Sequence, residues 1–185
     1  MTPGGSDIGP TLETERLILR PPASDDFESW AAFHADAEVG QFLGGTLSRA
    51  MAWRALCTMA GSWVINGFGM FSAVEKSTGR WIGRIGPWQP EGWPGTEVGW
   101  GLAREAWGHG YAVEGATAAI DWAFETLGWT EVVHAIDPGN RPSQRVAERL
   151  GSRILRSGIL PDPLNLPVDI WGQSRDEWLS RRRLG

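Results

Sequence analysis

Residues Trp107 to Ala112 read WGHGYA, two glycines around one histidine immediately ahead of a long, apolar-striped segment. Three readings fit that spacing: an anion cradle, a catalytic histidine, or a tight turn with no chemistry. The first turn of a helix carries unpaired backbone N–H groups and the positive end of the helix dipole. Glycines at 108 and 110 would let an anion reach those groups with no β-carbon in the way, and a pyrophosphate suits the place. The plain alternative is an irregular loop entering a helix, and the local pattern leaves cradle and loop balanced. Two familiar phosphate folds are set aside. A dinucleotide fingerprint puts its glycines directly after a strand and a third glycine three residues past the second, but Arg104 to Trp107 intervene here and position 113 is Val113. A nucleotide-triphosphate loop ends in Gly-Lys-Ser/Thr, and this turn does not.

Such a turn needs a strand to deliver it and a helix to receive it. Thr96 to Leu102 alternates as a strand, and Ala112, Ala116, Ala119, Ile120, Ala123 and Leu127 make a helical apolar stripe closed by Gly128. Upstream, ETERLILRPP reads as a strand with Leu17 and Leu19 on one face and Arg16, Ile18 and Arg20 on the other. A helix is predicted from Ser24, with Asp25 and Asp26 at its positive end, and a second from about Ser48 to Asn66-Gly67. Gly69 to Glu75 and Trp81 to Trp88 form a hairpin through KSTGR. Beyond the long helix come a strand at Glu131 to Ile136, the loop DPGN and a short helix with Val146, Ala147 and Leu150 inward. Strands near Arg153 to Ser157 and Val168 to Trp171 follow, then a last helix with a Ser174/Glu177 capping box. Antiparallel hairpins with one strand-helix-strand crossover predict a mixed, mostly antiparallel α+β fold.

Composition bounds the function. A chain of 185 residues, 42% hydrophobic and 21% charged, can bury one substantial core. Residues 1–11 are expected to be a flexible tail and 12–185 a single domain. No apolar run approaches the ~20 residues of a membrane span, so no membrane partner is expected. The opening MTPGGSDIGP does not look like a secretory signal, and Cys57 is the only cysteine, so a cytoplasmic address is expected. A net charge of -5 argues against nucleic acid as a partner and requires any anion site to be local.

EVGWGLAREAWGHGYAVEGATAAIDWAFETLGW, continued by DPGNRPSQRVAERLG, is similar to the acetyl-CoA-binding core of the GNAT superfamily of N-acetyltransferases. TERLILRP and VDIWGQSRDEW resemble the branch that includes the ribosomal-protein N-terminal acetyltransferases. The resemblance implies a GNAT-like fold and acetyl-CoA as acetyl donor, with no metal. The family motif Q/R-x-x-G-x-G/A falls on Trp107, Gly108, His109, Gly110, Tyr111 and Ala112, departing at Trp107. It implies that amides from Gly108 to Ala112 hold the pyrophosphate, with His109 beside the phosphates, and that pantetheine runs along Trp100 to Ala103, where an N–H near Leu102 polarises the thioester. The branch's Asn-x-x-Ser element falls on Asn140 and Ser143. Ser143 is then a candidate for assisting the leaving thiolate, because the tyrosine that many members use is replaced by Ala147; its alternative is local capping. Glu97 lies near a glutamate that some members use as a base, its alternative being a solvated strand carboxylate. The expected partner is an amine acceptor, a peptide N-terminus or a small molecule, with a noncatalytic acyl-CoA-binding module as the competing class. A homodimer stays open. The resemblance places the acceptor between Glu38 to Gly45 and LPDPLNLP, with Asp162 as a partner for a cationic amine.

Overall fold

The computed structural model describes residues 8–183. Among them, eight strands form one sheet: β1 (Leu12–Glu13), β2 (Leu17–Arg20), β3 (Phe71–Glu75), β4 (Trp81–Trp88), β5 (Glu97–Leu102), β6 (Glu131–Ile136), β7 (Arg153–Ile159) and β8 (Pro167–Ser174). Their spatial order is β1-β2-β3-β4-β5-β6-β8-β7. Every neighbouring pair is antiparallel except β5 and β6, which are parallel and joined through the long helix at Tyr111–Glu125. This is the mixed α+β sheet with a single crossover that the sequence predicts. The one arrangement that local pattern did not give is β8 lying between β6 and β7, which leaves β7 as an edge.

The helices are α1 (Phe27–Ala35), α2 (Ala37–Gly40), α3 (Arg49–Asn66), α4 (Tyr111–Glu125), α5 (Arg141–Arg149) and α6 (Arg175–Arg182). Ser48 caps α3 by accepting from Met51 N–H, Gly67 ends it at φ 75°, and the Ser174/Glu177 capping box opens α6. The predicted start at Ser24 is corrected. Residues Ser24–Asp26 form a 3-10 turn and α1 begins at Phe27, because Asp26 is buried, pairing with Arg20 at 2.6 Å and accepting from Ser72 Oγ at 2.6 Å. Residues 1–7 of the expected tail lie outside the described residues. The remainder is not loose: Ile8 packs on the core, and Gly9 lies so close to the Trp63 ring that a β-carbon there would sit 2.4 Å away.

Two apolar clusters hold the layers together. Ile82, Ile85, Val98 and Leu102 join Ala116, Ala119, Ile120 and Ala123 of α4, while Trp81, Met70 and Ala103 join Trp30, Phe33, Leu56 and Met59 of α1 and α3. Adjacent Trp81 and Ile82 belong to different clusters, as the two-residue period of a strand requires. The α4 stripe therefore fixes its N-terminus against the end of β5.

Candidate functional site

A cavity of about 590 Å³ opens where β5 ends and α4 begins. Its wall comes from Trp100 to Leu102 of β5, the turn around Gly108 and Gly110, the first turn of α4, and Asn140, Ser143, Arg145 and Arg149 of α5 and its cap, with Glu38 to Leu43 as the far side. That size fits a ligand well beyond a simple anion.

The cavity exists because two parallel strands part. β5 and β6 share the single register pair Glu97↔Val133, with Val133 N–H on the Thr96 carbonyl at 3.0 Å. Beyond it, side chains take over the ladder. Glu97 Oε1 accepts from Ala135 N–H at 3.1 Å, and His134 Nδ1 meets the Val98 carbonyl at 2.6 Å. A carbonyl only accepts, so Nδ1 carries the proton and Nε2 accepts from Ser152 Oγ at 3.0 Å. Burial pushes the His134 pKa down to about 4, leaving a neutral, fully engaged ring. His134 is structural.

The glycine turn enters α4 through two left-handed residues. Gly108 and Gly110 lie at φ 79° and 83°, a region that a side chain at either position would resist. The Trp107 indole N–H is anchored on the Leu102 carbonyl at 2.8 Å, tying the turn to the strand end. Among the described residues no side chain caps α4, whose N-cap is Gly110, whereas α2, α3, α5 and α6 each start under a capping Asp, Ser or Asn. Tyr111, Ala112 and Val113 of the first turn line the cavity, and their amides receive no acceptor from a side-chain cap.

Of the residues singled out in the sequence, Trp100, Leu102, Trp107, Gly108, Gly110, Tyr111, Ala112, Asn140 and Ser143 line this one cavity. Ala103 and His109 do not line it. Ala103 is buried and its N–H serves the Ile82 carbonyl, while the His109 ring stacks on Tyr111 at 5.7 Å. Ser143 is not a cap. Asn140 Oδ1 takes that role by accepting from Ser143 N–H at 3.2 Å, which frees the Ser143 hydroxyl to accept from Trp100 Nε1 at 3.3 Å. Arg104 is paired with Asp36 and Glu38, and Arg141 with Gln144, so the cavity's cationic wall is Arg145 and Arg149. Arg149 was not foreseen, although Pro142, Arg145, Val146 and Arg149 repeat at helical spacing along one face.

Glu97 is not a solvated carboxylate. It is 6% exposed, accepts from Trp93 Nε1 as well as Ala135 N–H, and shares its strand face with Gly99, where a β-carbon would lie 3.2 Å from Oε1. Burial pushes its pKa up to about 7 against the opposing pull of those hydrogen bonds and of Arg84. It does not line the cavity. On the far wall, Gly44 meets the 160s loop, a β-carbon there lying 3.1 Å from Leu164 Cδ2, so the two segments expected at the acceptor side do touch. Asp162 is exposed and bonded to Asn165 Nδ2.

The fold has counterparts among known proteins. The acetyltransferase (GNAT) domain model matches residues 16–153. The crystal structure of an acetyltransferase from Agrobacterium tumefaciens is 36% identical, with a TM-score of 0.80 over 90% of this chain and 95% of that one. The ribosomal-protein-S5-alanine acetyltransferase of Vibrio fischeri shares the fold, with a TM-score of 0.71 at 18% identity over 91% and 98% of the two chains. An uncharacterized Bacillus subtilis protein, YkkB, is 40% identical over 87 residues, 46% of this chain and 51% of that protein, so the match spans about half the length of that curated relative.

Proposed function

The chain belongs to the GNAT acetyltransferase family, and from that premise we propose that it transfers acetyl from acetyl-CoA directly to a primary amine, with a protein N-terminal amine as acceptor. The observation that carries the donor assignment is the uncapped α4 N-terminus, opening through two left-handed glycines into a cleft with Arg145 and Arg149 on its wall. Backbone amides from Gly108 to Ala112 bind the pyrophosphate, and the β5 edge that β6 leaves unpaired takes the pantetheine arm. A β5 N–H near Leu102 stabilises negative charge on the thioester oxygen as the amine adds to the carbonyl carbon. As the C–S bond breaks, the Ser143 hydroxyl stands in the cleft to hydrogen-bond the departing thiolate, and the proton that the amine sheds passes through water to the sulfur.

The acceptor reading rests on the proton economy of the cleft. Attack needs a neutral amine. Glu97 is buried with its carboxylate on Trp93 and Ala135, His134 is neutral and buried, and neither lines the cleft. An α-amino group with pKa ~7.7–8.0 is neutral for roughly a tenth of the time at pH 7, against well under a thousandth for a lysine near ~10.4. Such a site favours the acceptor that arrives partly neutral. A neighbour of the same fold is a ribosomal-protein-S5-alanine acetyltransferase, which agrees with this choice.

The test is CoA release and product mass across peptides with free N-termini, the same peptides N-blocked but carrying lysine, and small amines. Modification confined to free N-termini is expected. Turnover of small amines alone would replace the peptide acceptor, and donor binding without CoA release under any acceptor would make the chain an acyl-CoA-binding module. Gly110→Val, which forces a branched side chain into a left-handed position, should abolish CoA binding in calorimetry.

A further inference from the structure

We infer that Arg16 and Glu114 brace the pyrophosphate-binding turn from the opposite side, making Arg16 a positioning residue for donor binding; this rests on the donor site proposed above. Arg16 lies just ahead of β2, outside the cleft, in the TERL segment that the mechanism leaves unused. Its Nη1 donates to the His109 carbonyl at 2.9 Å, the midpoint of the turn. Its Nε and Nη2 reach Glu114 Oε2 at 2.7 and 2.6 Å, and its guanidinium lies 4.5 Å over the Tyr111 ring. The other carboxylate oxygen, Oε1, accepts from Arg16 N–H at 2.8 Å and from Thr14 Oγ1 at 2.6 Å. The assembly is fixed to the sheet, because the Arg16 carbonyl accepts from Lys76 N–H at 2.9 Å and Tyr111 donates its hydroxyl to Glu75 of β3.

A physical consequence follows for the turn. Gly108 and Gly110 give it left-handed freedom at both ends, so an unheld turn would sample many conformers and lose that entropy on binding. A hydrogen bond to the carbonyl midway between them removes the freedom before the donor arrives. Glu114, in the first turn of α4, in turn fixes the guanidinium: Nε and Nη2 both donate to its Oε2, which holds the Arg16 head on the His109 carbonyl.

CoA and pantetheine separate this role from general stability, since pantetheine carries the same thiol arm without the pyrophosphate. Binding of each to the full chain is measured by calorimetry, or by NMR titration where weak, for wild type, Arg16→Ala, Arg16→Lys and Glu114→Gln. Arg16→Ala should weaken CoA by about tenfold, pantetheine by less than about twofold, and Arg16→Lys should recover part of the loss. Glu114→Gln, which keeps the shape and deletes half of the brace, should show the same selective loss and stands in if Arg16→Ala does not fold. Equal losses for both ligands, or none, overturn the brace. Failure of the wild-type chain to bind CoA would instead overturn the donor assignment itself.

Discussion

Ser143 and Glu97 lie in different media, one in an open cleft and the other in the protein interior. Ser143→Ala removes a hydroxyl that meets Trp100 and caps nothing, so turnover should fall by about tenfold or more with CoA affinity nearly unchanged; full activity would remove Ser143 from the mechanism. For Glu97 the informative variable is pH. Its pKa in the fold, about 7, stands above the ordinary 4.5, so between those values the folded state holds a proton that the unfolded state has released. The stabilisation is complete below 4.5 and is lost as pH rises through 7. Wild type should therefore lose up to about 3 kcal/mol across that window relative to Glu97→Gln, which stays neutral. Parallel stability profiles in chemical denaturation would show that the carboxyl is not desolvated. Because Glu97 lies off the cleft and holds the parted strands, the rate profile should show no acid limb near 7 that Glu97→Gln removes; such a limb would make the carboxyl a relay for the amine's proton.

The short helix α5 carries the cap, the hydroxyl and the cationic wall together, so one change at its start should disturb all three. Asn140→Ala deletes the side-chain cap and should cost about 1 kcal/mol in thermal unfolding while raising the KM for acetyl-CoA; an unchanged KM would mean that Asn140 only caps. The periodic elements were legible in the sequence because each is long enough to repeat its pattern: β4 and β6 match the predicted strands residue for residue, and α3 runs between the predicted limits at Ser48 and Gly67. Two elements escaped because they are too short to show a period, β1 with two residues and α2 with four. The glycine turn could be read because left-handed glycines and an uncapped helix start are local. Arg149 and the burial of Glu97 could not, because alternation says which residues share the Glu97 face but not that Met70 and Phe33 cover it.

Across the whole molecule, a net charge of -5 repels a polyanionic donor, and the cleft must overcome that with Arg145, Arg149 and helix amides. CoA affinity should then fall with added salt, since screening tightens from about 10 Å at 0.1 M to about 3 Å at 1 M, and Arg149→Ala should both weaken binding and flatten the salt dependence. A salt-independent dissociation constant would argue against a cationic wall. The two rims of the sheet differ sharply. β1 is only two residues long, but β7 runs for seven, with Ile154 at 53% and Ile159 at 70% exposure. An open, apolar rim of that length is a template on which further chains can stack edge to edge. Arg153 and Arg156 interrupt it, and in colloidal terms they are gatekeepers: replacing both with serine should leave the fold intact while turning a clear concentrated solution progressively turbid in light scattering.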